Sequence, residues 1–203
     1  MSLLTTWGYE LTDVDALPDI ISEEEFNTYT ANRYAGDTRI SPSIKAASLA
    51  LRNRCGWHLS GSLACKISWT ITNRGIVRHG SDLIIQLPAK FVSAITSVSV
   101  AGENITEYSF QTNGLLTVYD VYTCDRRDLV EVVYTAGIAD ASAIKEMVAQ
   151  MVTMNLAKSY GVTSEAAGGV SITYNSAWTN GSFNQLMDNN AGLLMPYKLE
   201  GVF

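Results

Sequence analysis

The spacing of apolar residues changes twice along this chain, and that change constrains the fold more than any other feature. Between residues 62 and 137, apolar and polar residues alternate, as at Ile67, Trp69 and Ile71. This period is typical of a strand with one buried face. On both sides of this stretch, apolar residues recur at helical spacing. The sequence therefore predicts short β-strands in the middle and helices at both ends.

The first flank carries two helix-start signals. Ser22 and Glu25 form a capping box, in which the serine side chain accepts from the Glu25 amide and the carboxylate reaches back. This predicts a short helix that ends near Tyr34. Ser41 and Pro42 predict the N-cap and first residue of a second helix. We expect that second helix to end shortly before the β-rich stretch.

The second flank follows the same logic. Asp140 is the predicted N-cap of a long amphipathic helix that ends at Tyr160. A last helix is predicted from Ser182 to about Leu194, and Pro196 stops it. In the middle, Asn113 and Gly114 lie between two strand-like runs and predict a hairpin.

These patterns predict an α+β chain: a helical bundle formed by both flanks, with an inserted small antiparallel β barrel or sandwich. The predicted domains are an extended acidic arm (1–21), a helical domain made of 22–61 plus 138–196, an inserted β domain (62–137) and an apolar C-terminal tail (197–203).

The charge is concentrated at one end. The net charge is −6, yet residues 1–25 hold seven acidic residues and no Lys or Arg, and the other residues hold 13 acids and 14 bases. A sequence-reading nucleic-acid protein needs a basic surface, which this composition does not provide. The acidic end is either a solvated arm or a contact for a basic partner surface.

Catalytic and metal-binding patterns are missing. His58 and His79 are the only histidines, and neither lies in a recognisable catalytic motif. Cys55, Cys65 and Cys124 form no Cys-x-x-Cys pair, so we expect reduced cysteines that act as small apolar residues. We expect no cofactor, no metal and no enzyme activity. A hydrolase with an unrecognised site at a histidine is the alternative.

The C-terminal end is unusually apolar for a segment that follows a helix stop. Such a segment either marks a partner interface or folds back on its own domain, and the sequence leaves both open. The candidate interface residues are Leu193, Leu194, Met195, Tyr197, Leu199, Val202 and Phe203.

Three segments of the chain resemble a known family. They are the predicted helix 41–59, the predicted helix 138–160, and the run 161–174 that leads to a terminal helix and a Pro196–Leu199 end. Together they resemble the head–tail adaptor proteins (connector or head-completion proteins) of long-tailed bacteriophages. The order of helix, β insertion, long helix, short strand and terminal helix is similar to that of the larger members.

The resemblance implies a structural subunit with no catalytic residues. It implies a homo-oligomeric ring, usually twelvefold, that joins the portal protein to the next neck or tail-completion protein and continues the DNA channel. DNA would pass through without sequence-specific binding. In relatives the C-terminal segment often anchors on the portal. The expected location is the virion neck after assembly in the bacterial cytoplasm, with no membrane contact.

Two questions stay open at this point. The insertion 62–137 departs from the compact family members, so the resemblance does not explain it. It also supports an alternative function, in which the β domain is a binding module for a carbohydrate or a host surface, carried on a helical stalk. We expect the contacts with other proteins to lie in the acidic end 1–25 and in residues 193–203.

Overall fold

The chain forms two compact units. A computed structural model describes residues 3–4, 7–12, 17–121, 125, 127–138, 141–157, 164–167, 170–173 and 183–199. The first unit, here the sheet unit, comprises Met1–Pro18, Cys55–Asp140 and Tyr197–Phe203. The second, here the helical unit, comprises Asp19–Arg54 and Ala141–Pro196.

The sheet unit contains a six-stranded antiparallel sheet. Its order is β1 (Leu3–Leu4), β2 (Glu10–Leu11), β3 (Leu63–Thr70), β10 (Leu129–Ala136), β6 (Val92–Val100) and β7 (Glu103–Asn104). Along β10, Val130, Val132, Tyr134 and Ala136 are buried and alternate with more exposed residues. This alternation confirms the predicted period of two, with one face of the strand in the core.

A second, four-stranded antiparallel sheet lies in the same unit. Its order is β4 (Ile76–His79), β5 (Asp82–Gln86), β9 (Leu115–Val118) and β8 (Tyr108–Phe110). The predicted hairpin at Asn113 and Gly114 is confirmed, since it joins β8 to β9. Only Gly114 has a positive φ, of 90°. The Gly114 N–H donates to the Gln111 carbonyl, and the Gln111 N–H donates to the Leu115 carbonyl, as in a type I turn followed by a left-handed glycine.

The two ends of the β-rich stretch meet. Ser60 and Ile138 form a parallel bridge, and the Ile138 N–H donates to the Leu59 carbonyl at 2.9 Å. A Cβ on Gly137 would lie 1.7 Å from the Gly61 carbonyl oxygen, and Gly137 has a φ of +143°. Only glycine allows two backbone segments to approach so closely in this conformation.

The helical unit is built from short and medium helices. These are α1 (Glu23–Tyr29), α2 (Ile40–Cys55), α3 (Ser142–Ala157), α4 (Phe183–Asn189) and α5 (Ala191–Leu194), followed by a 3₁₀ turn (Met195–Tyr197). A two-stranded hairpin, β11 (Ser164–Ala167) and β12 (Val170–Thr173), belongs to the same unit.

Polar contacts join the helices of this unit. The Asn155 side-chain amide donates to the Ser43 hydroxyl at 2.9 Å and so joins α3 to α2. Arg54 and Asp188 form an ion pair between α2 and α4. Ser43 is buried, which suits a hydroxyl that has a hydrogen-bond partner.

The predicted fold class, a helical bundle with a small inserted barrel or sandwich, is wrong. Both larger sheets are open, because in neither do the first and last strands pair within the described part of the chain. β2, from the predicted arm, pairs with β3, with Leu11 opposite Cys65. α4 and α5 have seven and four residues, too short for bundle helices. β2 has only two residues and therefore shows no apolar–polar alternation, so the sequence period did not predict its pairing with β3.

Helix starts were predicted with mixed success. The capping box is confirmed: the Glu25 N–H donates to the Ser22 hydroxyl at 3.1 Å, and the Ser22 N–H donates to the Glu25 carboxylate at 2.9 Å. The predicted N-cap at Ser41 is wrong, because α2 already begins at Ile40. The Asp37 carboxylate accepts from the Arg39 N–H just before that helix and supplies the acceptor expected of a serine. No described helix has the length and apolar character required to span a membrane.

Candidate subunit-contact surfaces

The structure places the candidate C-terminal residues in different environments. Leu194 is 3% exposed and belongs to the core of the helical unit. Its neighbours Leu193 and Met195 are 43% and 70% exposed. Two large apolar side chains therefore face solvent at the C-terminal end of the helical unit.

Tyr197 and Leu199 are half-buried and pack against other residues of the sheet unit, to which they belong. The Trp57 indole N–H donates to the Tyr197 carbonyl at 2.6 Å, and the Leu199 N–H donates to the Cys55 carbonyl at 3.0 Å. We call residues 197–199 the strap. The set of groups that holds it is called the aromatic slot, and it consists of Trp57, Phe91, Gly56 and the Cys55 carbonyl.

Three rings form a stack in the slot. The Phe91 ring centroid lies 6.0 Å from that of Trp57 and 5.9 Å from that of Tyr197, at interplanar angles of 16° and 29°. Trp57 is fully buried, whereas Phe91 is 39% exposed. Parallel rings at such distances attract each other beyond the burial of their area.

Of the predicted interface set, Val202 and Phe203 lie outside the described residues. Leu194 is buried, Leu193 and Met195 are exposed, and Tyr197 and Leu199 contact their own sheet unit. The sequence left open whether the tail meets a partner or folds back. At the strap, the described part of the tail folds back on its own chain. A partner contact stays a prediction for the exposed residues Leu193 and Met195.

The sequence analysis missed Phe91. This residue has a φ of +57°, an uncommon conformation for a bulky side chain, and its carbonyl accepts from the Gly137 N–H at 3.3 Å. β6 begins at Val92, directly after Phe91. An aromatic residue just before a strand, outside its alternation, was the available signal.

A groove crosses the helical unit. It has a volume of about 360 Å³ and is lined by α1, α3 and α4. The lining residues are Tyr29, Thr30, Glu146, Ala149, Gln150, Thr153, Met154 and Leu186. Tyr29 is 47% exposed at this groove. On the same helix, Met147 and Met151 are buried while Met154 lines the groove.

The acidic residues at the start of α1 have two different roles. Glu25 pairs with Lys145 of α3 at 2.6 Å. The hydrogen bond from Lys145 and the Ser22 backbone bond of the capping box hold the pKa of the Glu25 carboxyl below its usual range. Glu23 and Glu24 are exposed and stabilise the positive end of the helix dipole. At least one residue of the acidic end 1–25, Glu25, therefore forms a contact within the helical unit.

His58 is a packed core histidine. It is fully buried, and its Nε2 lies 2.9 Å from the Ala136 carbonyl oxygen. A carbonyl only accepts, so Nε2 carries the proton, and Nδ1 accepts from the Tyr9 hydroxyl at 2.7 Å. The Tyr9 oxygen in turn accepts from the His58 backbone N–H at 3.0 Å. Both ring nitrogens are therefore used to join three segments of the sheet unit.

The other histidine and the cysteines lie in different surroundings. His79 is exposed at the end of β4. Burial raises the pKa of the Cys65 thiol to about 12, which removes the thiolate form at neutral pH. Cys55 is also buried and free, and Cys124 lies outside the described residues. In the described part, no group of His, Cys, Asp and Glu could hold a metal ion.

Comparison with known proteins identifies the family. Residues 19–183 match the model of the head completion protein family. The chain belongs to that family. The family assigns it a role in joining the head and tail of a phage, as a structural protein of the virion. A search among curated proteins found no match.

The head completion match includes parts of both units. It contains the whole of α1, α2 and α3, and also Trp57 and Phe91 of the aromatic slot. The exposed pair Leu193 and Met195 and the strap lie outside it. The slot is therefore within the family region, whereas its occupant is not.

Proposed function

We propose that this head completion protein is the subunit of a ring-shaped adaptor in a phage neck. The ring binds the portal protein on one side and the next neck or tail-completion protein on the other. The observation that carries the proposal is the family match over residues 19–183. The resemblance noted in the sequence predicts a twelvefold ring.

Exposed apolar side chains support self-association. Large apolar residues on the surface of the helical unit include Tyr29, Leu49, Leu193 and Met195, each more than 40% exposed. A neighbouring copy that covers such residues removes them from water and stabilises the ring. The groove beside Tyr29 supplies a concave surface of the same unit for such a contact.

The charge supports a channel that lets DNA slide. The chain has 20 acidic residues against 14 Lys and Arg. A wall that neutralised many phosphates would hold DNA tightly, because each contact releases counterions. An acidic chain avoids such binding, and so DNA passes without sequence-specific contacts. No catalytic step is part of the proposal, which fits a His58 ring engaged at both nitrogens.

The direct test is the mass of the full-length protein, alone and with its cognate portal ring, by native mass spectrometry. We expect a closed oligomer, formed alone or on the portal, that binds the portal. A protein that stays a monomer at all concentrations and does not bind the portal would overturn the proposed function. A monomer that binds a carbohydrate instead would favour the alternative of a binding module.

A pair of variants tests the exposed C-terminal residues. The double variant Leu193→Ser/Met195→Ser removes two exposed apolar side chains, and Val77→Ser, 59% exposed on β4 of the sheet unit, is the matched control. Burying such a side chain contributes about 1.5–3 kcal/mol, or about tenfold or more in affinity. We expect the double variant to weaken ring formation or portal binding at least about tenfold and the control to leave both unchanged. Equal behaviour of the two variants would contradict the assignment of Leu193 and Met195 to an interface.

A further inference from the structure

Two hydrogen bonds and one ring contact hold the strap in the aromatic slot. The indole N–H of Trp57 binds one strap carbonyl, the Cys55 carbonyl binds one strap N–H, and the Phe91 ring stacks on Tyr197. Two of these three contacts involve the strap backbone. The slot therefore fits a Tyr-x-Leu segment, whichever chain supplies it.

The slot and the strap are far apart along the chain. Trp57 and Tyr197 are separated by 140 residues. Residues up to Pro196 belong to the helical unit, whereas the strap belongs to the sheet unit. The 3₁₀ turn Met195–Tyr197 is the connection between the two. A change of a few backbone dihedral angles there redirects the strap without altering the helices of the helical unit or the strands of the sheet unit.

The slot needs an occupant. Trp57 is fully buried, and its indole N–H is a donor that requires an acceptor inside the protein. Phe91, at a φ of +57°, is kept in place by the rings on its two sides. An empty slot would lose both the acceptor and one of these rings. An identical strap from a second copy restores all of these contacts.

The connection itself favours a second copy. Leu193 and Met195, directly before the strap, are 43% and 70% exposed when the strap is bound to its own chain. A strap that crosses to a neighbouring copy takes these side chains into the contact between the copies. The neighbour's slot is also present at high effective concentration once a ring forms.

We propose that the strap exchanges between copies: in the oligomer, residues 197–199 of one chain occupy the aromatic slot of the next. This inference rests on the proposed function, because it needs an oligomer, and it names the partner of the C-terminal segment. The free chain closes the strap on its own slot, and assembly replaces that contact by the same contact between chains.

Engineered cysteines test the exchange directly. A Cβ added at Gly56 would lie 3.8 Å from the Leu199 Cβ, which is the separation that a disulfide requires. Chains with Gly56→Cys are mixed with chains with Leu199→Cys, assembled alone or on the portal ring, and oxidised. Exchange predicts a disulfide between residues 56 and 199 of different chains, seen as a dimer on a non-reducing gel and identified by peptide mass. Each variant alone is the control, because it reports any linkage through the native cysteines.

The outcomes separate the exchange from the proposed function. An assembly of the expected mass without a 56–199 link between chains would overturn the exchange and leave the proposed function intact. The absence of any assembly of the wild-type protein would overturn both. In the double variant Gly56→Cys/Leu199→Cys, exchange gives chains linked in series, while links only within single chains would contradict it.

A second variant avoids the positive φ of Gly56, where cysteine is strained. Tyr197→Ala removes the ring that stacks on Phe91, and Lys198→Ala, at the exposed residue beside it, is the control. Because exchange replaces a contact within one chain by the same contact between chains, Tyr197→Ala weakens the monomer and the oligomer alike, and the test is a mixture with Phe91→Ala chains. Exchange predicts that the mixed oligomer has a higher melting temperature than the oligomer of either variant alone, because an unchanged strap of one chain then occupies an unchanged slot of the other, and that Lys198→Ala alone behaves as wild type. A mixture no more stable than the average of the two variants would overturn the exchange.

Discussion

The two units of this chain differ in how closely their atoms pack. In the sheet unit, backbone segments approach so closely that a Cβ on Gly114 or Gly137 would lie 2.3 Å or 1.7 Å from a carbonyl oxygen. The helical unit instead contains a groove of about 360 Å³, lined by α1, α3 and α4. The difference indicates that the sheet unit is closely packed, while the helical unit leaves a concave space at its surface.

The largest expected effect lies at the closest contact of the sheet unit. We expect Gly137→Ala to destabilise the protein by about 4 kcal/mol or more, because the new Cβ meets the Gly61 carbonyl and the backbone conformation is one that only glycine adopts readily. Chemical denaturation followed by circular dichroism measures this change in the free energy of unfolding.

Gly80→Ala is the matched control for that substitution. Gly80 also has a positive φ, of +65°, but a Cβ there meets nothing within 4 Å. We expect a cost of about 1–2 kcal/mol, from the left-handed conformation alone. If the two alanine variants are equally stable, the close approach of Gly137 to the Gly61 carbonyl adds nothing to the cost of a Cβ, and the sheet unit is not closely packed there.

A smaller effect is expected at the buried polar core of the sheet unit. Tyr9→Phe removes the hydroxyl that bonds both Nδ1 and the backbone N–H of His58. We expect a loss of about 1–3 kcal/mol in the free energy of unfolding, the cost of depriving buried polar groups of a partner. Thermal and chemical unfolding of the two proteins measure it.

Tyr119→Phe is the control for this change. The Tyr119 hydroxyl also has a partner, the Ser109 hydroxyl at 2.7 Å, but both residues are exposed. We expect a change within about 0.5 kcal/mol, as for surface substitutions in general. If the two variants have the same free energy of unfolding, the buried Tyr9 hydroxyl contributes no more to stability than the exposed Tyr119 hydroxyl.

The smallest effect concerns the helical unit and depends on pH. Glu25 has a pKa below its usual 4.5 in the folded chain because Lys145 and the capping box stabilise its carboxylate. A lowered folded-state pKa stabilises the fold above the unfolded-state pKa, and this contribution is lost as the pH falls below about 4.5, through the folded-state pKa. We expect Glu25→Gln to cost about 0.5 kcal/mol at pH 7, because the pair is partly exposed, and nothing at the acid end of the titration.

Glu24→Gln is the control, since Glu24 lies in the same first turn and is exposed. Unfolding free energies measured across the acid range should show a pH-dependent difference from wild type that is larger for Glu25→Gln. A difference of equal size for both variants would mean that the helix dipole, and not Lys145, sets the effect. It would also mean that the contact between α1 and α3 adds little to the helical unit.

Local patterns predicted local structure well. The Ser22–Glu25 capping box, the Asn113–Gly114 hairpin and the buried face of β3 at Ile67 and Trp69 depend on neighbours a few residues apart. Each follows from chain geometry and side-chain chemistry, so the sequence contains the information. The family resemblance was confirmed, because the match over residues 19–183 includes the segments 41–59, 138–160 and 161–174 that carried it.

The arrangement of these elements was not predictable in the same way. Pairing of Leu11 with Cys65, and contact of Trp57 with Tyr197, join residues far apart in the chain. No period or motif in a single sequence encodes such contacts. The aromatic slot was missed for this reason, since Trp57, Phe91 and Tyr197 have no common spacing. The predicted domain boundaries, and the role of the exposed C-terminal pair, stay predictions.

The position of β10 has a consequence for how the chain is made. β10 pairs with β3 on one side and β6 on the other, yet it is the last of the three to leave the ribosome. Until residue 136 has emerged, β3 and β6 each keep one edge without its final neighbour, and such edges readily pair with other chains. The six-stranded sheet therefore acquires its central strand late in synthesis, and until then the waiting edges of β3 and β6 favour pairing between nascent copies over pairing within one chain.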